Sequence, residues 1–371
     1  MEAMGIIFSN VYDSYMGDLT DVRTSAAIPF GGRYRQVDFA LSNMSGAGMR
    51  HIGIITKYNY ESLMNHLGSC QEWDLTLEDR GLVLLPPYAT GHTGVYRGKL
   101  EALYTALDVL EHAEQDYVLL TDTTVLAAVD YLDALNAHVE SGCDITVLTK
   151  RLQGSGQRKY ALAVHKDENN RPTDMVVDCA IEDVGEVSMG MFIISRRLLI
   201  DAIKHTVPHG KYHLERDFIL SGFNAGTLSV NVWSFPHTAL FNESLPEYYA
   251  NSMALLDPAV RSDLFHSSIP IYTKTRNEVP TFYGKKAQVT ECITADGCTL
   301  AGSCRRSVFF REVTVDEGAE VQDCVIMQGS RVGTGASLQY VILDKDVTVR
   351  PYTRLTGSPE HPLYIKKGAT V

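Results

Sequence analysis

The sequence predicts an α/β protein of two domains, in which a doubly wound sheet is followed by a β-helix. Up to about residue 240, short β-rich apolar segments alternate with segments of helical periodicity. From Lys285 onward, apolar residues recur every six positions. The length of 371 residues agrees with this division, because it exceeds what one compact core usually accommodates.

In the first part, the segments GIIF, HIGIIT, YVLLT and DITVLT have the length and composition of strands buried on both faces. The segment GKLEALYTALDVLEHAE predicts one amphipathic helix, since four leucines recur at helical spacing. These are Leu100, Leu103, Leu107 and Leu110. Alternating strands and helices indicate βαβ units of a Rossmann-like domain. Its ligand crevice is expected at the carboxyl ends of the strands, where Asp122 follows YVLLT.

In the last part, VDEGAEVQDCVIM and VGTGASLQYVIL share one pattern and begin 17 residues apart, at Val315 and Val332. Within each copy an apolar residue recurs after six positions, at Val321 and Leu338, and Gly and Ala take fixed positions. This pattern is typical of hexapeptide repeats that form a left-handed β-helix with coils of about 18 residues. A β-sandwich would instead alternate with a period of two.

Between these parts, SLPEYYANSMALLDPAVRSDLF predicts helices and IPIYTKTR an extended segment. We therefore expect the first domain at residues 1–243, a helical and extended linker at 244–284, and the β-helix at 285–371.

The composition limits the classes of function. A net charge of -12 argues against a general nucleic-acid surface, so small anionic ligands would need local basic pockets. The seven cysteines include no C-x-x-C pair, which argues against a zinc or thioredoxin-type site. Cys292, Cys298 and Cys304 are spaced by six and are expected at equivalent buried positions of the repeats. No secretory leader or membrane span is recognisable, which predicts a cytoplasmic protein.

Several motifs resemble those of bacterial ADP-glucose pyrophosphorylases (glucose-1-phosphate adenylyltransferases). PFGGRYRQVDFALSN, YRGKLEALY, SMGMF, IPIYT and the hexapeptide tail occur in the family's order, so the resemblance covers essentially the whole chain. It implies a nucleotidyltransferase domain before a left-handed β-helix, Mg²⁺ as cofactor, and synthesis of ADP-glucose and pyrophosphate from ATP and glucose 1-phosphate for glycogen. Such chemistry between two anions requires amides that approach phosphate, cations, and a metal held by carboxylates.

The chain departs from the family at the phosphate-binding loop, A-G-G-x-G-x-R-L. Asn10, Val11 and Asp13 take the positions of its glycines, and Tyr15 takes that of the catalytic arginine. Ser25 stands where the family's R-A-K-P motif has lysine. Two cations are therefore missing, and we expect the Asp13 carboxylate to face the phosphate oxygens and repel them.

The metal-binding carboxylates are also altered. Asp122 matches one of the family's two metal-binding aspartates, whereas Phe241 occupies the position of the second. Asn242 and Glu243 follow closely, which leaves an alignment shifted by one residue open. The resemblance therefore implies that Mg²⁺ binds weakly or not at all.

The substrate motifs are retained in part. The family's G-T-A-D-A motif has Lys99 and Glu101 in place of its threonine and aspartate, and DMVVDCAIEDVGE has no lysine where the family binds the sugar phosphate. Tyr96, Gly98 and Ser188 persist as remnants of substrate binding.

Four arginines remain although other cations are lost: Arg23, Arg33, Arg35 and Arg50. They are candidates either for surface and interdomain ion pairs or for an allosteric anion site that binds a sugar phosphate or nucleotide.

Together these departures predict a chain with little or no catalytic activity alone. It is most like the D-type regulatory subunit, which the resemblance implies would activate a catalytic subunit in a heterotetramer. Three alternatives remain open: a weakly active pyrophosphorylase with an unconventional loop, a β-helix acyltransferase, and a non-catalytic scaffold. An acyltransferase usually requires a histidine in or near the coils, and none occurs between Ser268 and Glu360.

Overall fold

The computed structural model describes residues 2–10, 13–76, 81–86, 96–153, 160–167, 171–181, 185–265 and 268–371. The first domain is built on a nine-stranded sheet. Its strands, β1 to β9 in chain order, are Ala3–Phe8, Ile52–Ile55, Leu82–Leu85, Tyr117–Asp122, Ile145–Leu152, Tyr160–Lys166, Pro172–Cys179, Gly185–Ser195 and Val230–Ser234. Two short antiparallel pairs lie beside it: the hairpin of Pro29–Phe30 with Tyr34–Arg35, and the long-range pair of Val125–Leu126 with Leu240–Phe241.

The sheet is mixed. Strands β3, β2, β1 and β4 run parallel in that order, as βαβ connections require. Strand β8 lies antiparallel between β4 and β5, β9 is parallel to β5, and the antiparallel pair β6 and β7 joins the first half of β8. The four segments expected to be strands coincide with β1, β2, β4 and β5, and the predicted fold class is confirmed.

Helices pack on the sheet and lead to the second domain. Those of α type, α1 to α9, are Gln36–Gly46, Glu61–Leu67, Lys99–Thr105, Leu107–His112, Tyr131–Ser141, Arg196–Thr206, Ser221–Asn224, Leu245–Ala254 and Pro258–Phe265. Leu214–Leu220 forms a π-helix, and five short 3₁₀ turns are Asp13–Tyr15, Gly17–Thr20, Ser25–Ala27, Gln71–Trp73 and Val207–His209. None of the described helices is both long and apolar enough to cross a bilayer.

The prediction of one helix after Gly98 is wrong, because the structure has two, α3 and α4, which meet at Ala106. The hydroxyl of Thr105 donates to the carbonyl oxygen of Ala102 at 2.7 Å, a local bond that competes with the regular helical ladder. The helical spacing still identifies the buried face, since Leu100, Leu103 and Leu110 are fully buried.

The second domain is a parallel β-helix, as the hexapeptide pattern predicts. Its three faces are parallel sheets of five strands each. Val315 pairs with Val332 and Val332 with Val349, so one coil contains 17 residues here. Cys298 and Cys304 are buried inside and Cys292 is half-buried. The strands are Phe282–Tyr283, Gln288–Thr290, Ile293–Thr294, Thr299–Leu300, Ser303–Arg305, Val308–Phe309, Thr314–Val315, Glu320–Gln322, Val325–Ile326, Arg331–Val332, Ser337–Gln339, Val341–Leu343, Thr348–Val349, Arg354–Thr356 and Leu363–Ile365.

The two domains share one apolar cluster. Phe30 and Phe39 of the first domain belong to it together with Phe310 of the β-helix. Helix α8 joins the two parts, because the Tyr248 hydroxyl donates to the first domain and the Tyr249 hydroxyl donates to the β-helix, at 2.8 and 2.7 Å. This packing places side chains from both domains at one boundary.

Candidate functional site

A crevice of about 450 Å³ opens at the carboxyl ends of β1 and β2, at the edge of the sheet where it was expected. Phe8 and Ile55, the last residues of these strands, line it. Tyr15, Tyr96 and Gly98 line it as well. The structure thus brings together three of the residues that the sequence assigned to the catalytic and substrate-binding positions.

In the loop after β1, the Asp13 carboxylate binds groups of the loop itself, whereas a phosphate-binding loop would leave backbone amides free for the phosphate. The Asp13 side chain is buried and accepts hydrogen bonds from the backbone N–H of Ser25, at 2.9 Å, and from the Asn10 side chain. Burial raises the pKa of Asp13. Asp13 therefore faces the interior and not the crevice, and the expectation that it faces phosphate oxygens is wrong.

The two positions that lost cations have different surroundings. Tyr15 is 69% exposed at the crevice wall, whereas Ser25 is fully buried and its hydroxyl donates to the carbonyl oxygen of Ser9 at 2.9 Å. Neither side chain carries positive charge toward a phosphate. Val11, the third replaced glycine, lies outside the described residues.

A buried ionic cluster forms the floor of the crevice. The Lys99 Nζ lies 2.8 Å from Oδ2 of Asp122 and 2.5 Å from Oε1 of Glu215. Burial disfavours the charge on Lys99, but the two carboxylates outweigh it and raise the pKa of Lys99 above its ordinary value. Burial raises the pKa of Asp122 to about 6, against the opposing effect of Lys99. The cluster thus places the Lys99 nitrogen between the carboxyl groups of Asp122 and Glu215.

These residues do not fit the Mg²⁺ that the resemblance implies. Mg²⁺ requires several oxygen ligands in near-octahedral geometry. Here the Asp122 carboxylate, which would be one of them, is hydrogen-bonded to the ammonium group of Lys99. Phe241 is buried in an apolar cluster, and the Asn242 Oδ1 accepts a hydrogen bond from Asn251. Among the described residues, no group of three or more His, Cys, Asp or Glu side chains could hold a metal ion.

The remnants of substrate binding have structural roles in the chain. The Tyr96 hydroxyl lies 3.1 Å from that of Thr105. Gly98 directly precedes α3, and a Cβ atom there would lie 2.2 Å from the carbonyl oxygen of Tyr212, so a larger residue does not fit. Ser188 is buried on β8, where its hydroxyl accepts a hydrogen bond from the backbone two residues later.

A second charged site, the interdomain cationic pocket, lies between the first domain and the β-helix. The basic residues that line it come from several parts of the chain. They are Arg33, Arg35, His66, Arg276, Arg311 and Lys345. The pocket is narrow, about 30 Å³, but Arg33 and Arg276 are exposed side chains that can move apart.

The interdomain cationic pocket concentrates positive charge. Burial lowers the pKa of Arg35 to about 10, and burial together with Arg35 and Arg23 lowers the pKa of Lys345 to about 7. Burial and neighbouring arginines also lower the pKa of Arg311. The buried Nε of Arg311 has no hydrogen-bond partner in the described part of the chain. An anion would relieve the mutual repulsion of these groups.

Of the four predicted arginines, the structure brings Arg33 and Arg35 together in this pocket. Arg23 is buried behind it, where its guanidinium contacts both carboxylate oxygens of Asp344 at 2.9 Å and so joins the two domains. Arg50 lies elsewhere on the surface and pairs with an exposed aspartate at 3.4 Å.

The comparisons with known proteins agree with this architecture. Residues 12–230 match the nucleotidyl transferase family, and residues 278–361 match the GlmU-like C-terminal hexapeptide family. The glycogen biosynthesis protein GlgD of Bacillus subtilis is 32% identical over 367 residues, which cover 99% of this chain and 96% of the relative.

The chain belongs to the nucleotidyl transferase family.

Two further relatives define its position within the nucleotidyl transferase family. GlgD of Geobacillus stearothermophilus is 32% identical over 98% of this chain and 96% of the relative. The glucose-1-phosphate adenylyltransferase of Bacillus thuringiensis is 27% identical over 92% of this chain and 91% of the relative. The resemblance inferred from the motifs is thus confirmed.

Sequence reasoning missed four residues that the geometry assigns to these sites. Glu215 belongs to the crevice floor, and Arg276, Arg311 and Lys345 belong to the interdomain cationic pocket. No local motif marks them. The only signal in the sequence is the excess of acidic residues, which makes any local cluster of cations notable.

Proposed function

We propose that this chain is a cytoplasmic, catalytically deficient subunit of glucose-1-phosphate adenylyltransferase in glycogen biosynthesis, and that it activates a catalytic partner within a heterotetramer. The observation that supports the proposal is the crevice, which lies at the family's position but differs in the groups that line it. Tyr15 and Ser25 provide no cation, and Lys99 is bonded to Asp122. The names of the relatives support the pathway and the parent reaction.

The expected loss of activity is large. Removing one preorganised group that stabilises a transition state typically lowers the rate by about 10²- to 10³-fold. Such losses do not simply multiply within one site. With two cations and the metal site altered, we expect the chain alone to make ADP-glucose at least ~10⁴-fold more slowly than a catalytic relative.

The interdomain cationic pocket is the site where we expect a small anionic effector, such as a sugar phosphate or nucleotide. Arg33 and Arg35 belong to the first domain and Arg311 and Lys345 to the β-helix, so one bound anion would contact both domains. It would favour the domain arrangement in which these cations converge. A tenfold shift in a partner's activity requires about 1.4 kcal/mol of differential binding.

The first coil of the β-helix offers a surface for the partner. Phe282–Tyr283 is the terminal strand of its sheet, and Phe282 and Val279 are 62% and 70% exposed. An exposed strand edge with apolar side chains is a common place for another chain to bind. This supports assembly through the β-helix.

The experiment combines this chain with the catalytic subunit from its own organism. Each protein is assayed alone for ADP-glucose synthesis, and this chain is then titrated into a fixed amount of the catalytic subunit while mass and initial rate are followed. We expect a defined hetero-oligomer and a rate that saturates at a fixed ratio. Separate elution with an unchanged rate would support the scaffold alternative. Turnover by the chain alone within tenfold of the catalytic subunit would support an active pyrophosphorylase.

A further inference from the structure

The floor of the crevice contains a positive charge supplied by the chain itself. Lys99 is only 7% exposed, and its ammonium group bridges Asp122 and Glu215 at 2.8 and 2.5 Å. Two aromatic rings, Phe8 and Phe192, face the same nitrogen at 5.7 and 5.4 Å from their centroids. These contacts combine two carboxylates with the electron-rich faces of two rings, and they stabilise a cation at this point.

We propose that the Lys99 ammonium is the permanent cation of the crevice floor. It binds the carboxylates of Asp122 and Glu215 and so takes the place of a divalent metal. The crevice then needs no metal to balance its buried acidic groups. This inference concerns the charge balance of the chain itself and stands whether or not the chain activates a partner.

The backbone also packs against the carboxylate that Lys99 neutralises. Gly190 has a positive φ of 70° and passes so close that a Cβ atom there would lie 2.3 Å from Oδ2 of Asp122. The backbone of Gly190 therefore lies against one side of the carboxylate, and the Lys99 nitrogen contacts the same oxygen at 2.8 Å. The other oxygen, Oδ1, is buried and has no partner among the described residues.

Displacement of the lysine by a metal would also be unfavourable. The ammonium group would have to leave both carboxylates while its stem remains buried, and an unpaired buried charge is costly. In addition, Lys99 is covalently attached and therefore present at a high effective concentration, whereas a metal must bind from solution.

The two carboxylates have the spacing of a shared cation site. Both oxygens lie within hydrogen-bond distance of one nitrogen, so a small cation placed there would contact both. Shortening Lys99 should therefore convert the ionic cluster into a divalent cation site. Lys57 lines the same crevice but forms no ion pair with Asp122 or Glu215, so its removal serves as a matched control.

The test follows Mn²⁺ binding by the electron paramagnetic resonance signal of the free ion, with the full chain freed of metal beforehand. The variants are Lys99→Ala, Lys99→Arg, Lys57→Ala and the double variant Lys99→Ala with Asp122→Asn. We expect Lys99→Ala to bind one Mn²⁺ at least ~10-fold more tightly than the wild-type chain, and its thermal midpoint to rise on Mn²⁺ addition. The wild-type chain, Lys99→Arg, Lys57→Ala and the double variant should gain no such site.

The wild-type chain alone can overturn the proposal. One Mn²⁺ bound stoichiometrically by the wild-type chain, and lost in Asp122→Asn, would show that Lys99 does not exclude the metal. A folded Lys99→Ala chain without a new Mn²⁺ site would also contradict it. If Lys99→Ala does not fold without metal, recovery of its native circular dichroism on refolding with Mn²⁺, but not with Na⁺ of equal ionic strength, supports the proposal, and failure to recover with either contradicts it.

Discussion

The crevice and the interdomain cationic pocket are both lined by positive side chains, but they differ in how those charges are balanced. In the crevice, Lys99 bridges two carboxylates, Arg97 pairs with Glu101 at 2.6 Å and Arg216 pairs with Asp217 at 2.9 Å. In the interdomain cationic pocket, Arg33 pairs with Asp296 at 2.6 Å, but Arg35, Arg311 and Lys345 lie close to one another. Burial with neighbouring arginines lowers the pKa of Lys345 to about 7.

The difference indicates where we expect this chain to bind an anion. A cation that already has an internal carboxylate gains little from an added anion, because the ligand must compete with that partner. A cation surrounded by like charge gains more. Three of the cations at the family's position for triphosphate are therefore internally neutralised here, and we expect an anion to bind at the boundary between the domains.

The largest expected difference is the deficit in rate that remains after the cations of the phosphate loop are restored. The variant Tyr15→Arg with Ser25→Lys restores both cations of the phosphate loop but leaves Lys99 bonded to Asp122. We expect its rate of ADP-glucose synthesis to rise less than ~10-fold and so to stay at least ~10³-fold below that of a catalytic relative. The measurement is the initial rate with Mg²⁺ and both substrates.

Because Ser25 is fully buried, the single variant Tyr15→Arg serves as the control for misfolding. Rapid turnover by either variant would place the defect in the phosphate loop and not in the crevice floor.

The next effect concerns the stability of the domain boundary. Arg23→Ala removes the ion-pair partner of Asp344, whose carboxylate is buried between the domains. Among the described residues, Asp344 retains hydrogen bonds from the Tyr364 hydroxyl, at 2.6 Å, and from the backbone N–H of Lys345, at 2.7 Å. Leaving a buried charge without its partner typically costs about 3–5 kcal/mol, and we expect a loss of that size in the free energy of unfolding. Urea denaturation followed by intrinsic fluorescence measures it.

The matched control is Arg33→Ala, which removes a solvent-exposed ion pair between the two domains. Arg33 and Asp296 are 2.6 Å apart with about half of each side chain exposed. Its removal should cost no more than about 1 kcal/mol. Equal losses in the two variants would mean that burial of the ion pair does not decide its contribution.

The fold could be predicted from the sequence because its signals are local. Each signal lies within a short contiguous segment of the chain. The strand segments, the leucines at helical spacing and the six-residue period together identified both domains. The break between α3 and α4 at Ala106 was missed, since the helical spacing of the leucines continues across it. Residue identity likewise revealed the carboxylate of Asp13 but not that it turns inward.

The sites were less predictable because they depend on distant contacts. Lys99 and Glu215 are 116 residues apart in the chain, and neither belongs to a motif that requires the other. Arg35 and Lys345 become neighbours only when the β-helix packs on the first domain. The sequence therefore showed what the crevice had lost, whereas the structure was needed to show what replaced it.

A smaller effect concerns the pH dependence of anion binding in the interdomain cationic pocket. With a pKa of about 7, Lys345 is mostly charged at pH 6 and mostly neutral at pH 8. A bound anion favours the charged form, so binding at pH 8 requires proton uptake. We expect the affinity for sulfate, whose own charge is constant in this range, to be about tenfold weaker at pH 8 than at pH 6.

Calorimetry at both pH values measures the difference, and Lys345→Gln should abolish most of it. His66 lines the same pocket, but burial lowers its pKa below the ordinary value, so it contributes little above pH 6.5. An affinity for sulfate that is independent of pH in the wild-type chain would show that Lys345 does not contact the anion.

The smallest effect separates Arg50 from the arginines of the pocket. Arg50 was predicted together with Arg33 and Arg35, yet it lies on another surface, where it pairs with Asp74 at 3.4 Å and both side chains are more than half exposed. Salt screens the interaction between exposed charges beyond about 10 Å at 0.1 M ionic strength, so Arg50 should contribute almost nothing to the binding of an anion in the pocket.

We expect Arg50→Ala to change sulfate affinity less than about twofold. Arg311→Ala should weaken it about tenfold or more, because a hydrogen bond to a charged group contributes about 1.5–3 kcal/mol. The two variants remove the same charge from the chain, so equal effects would show that sulfate responds to net charge alone and that the interdomain cationic pocket does not bind it.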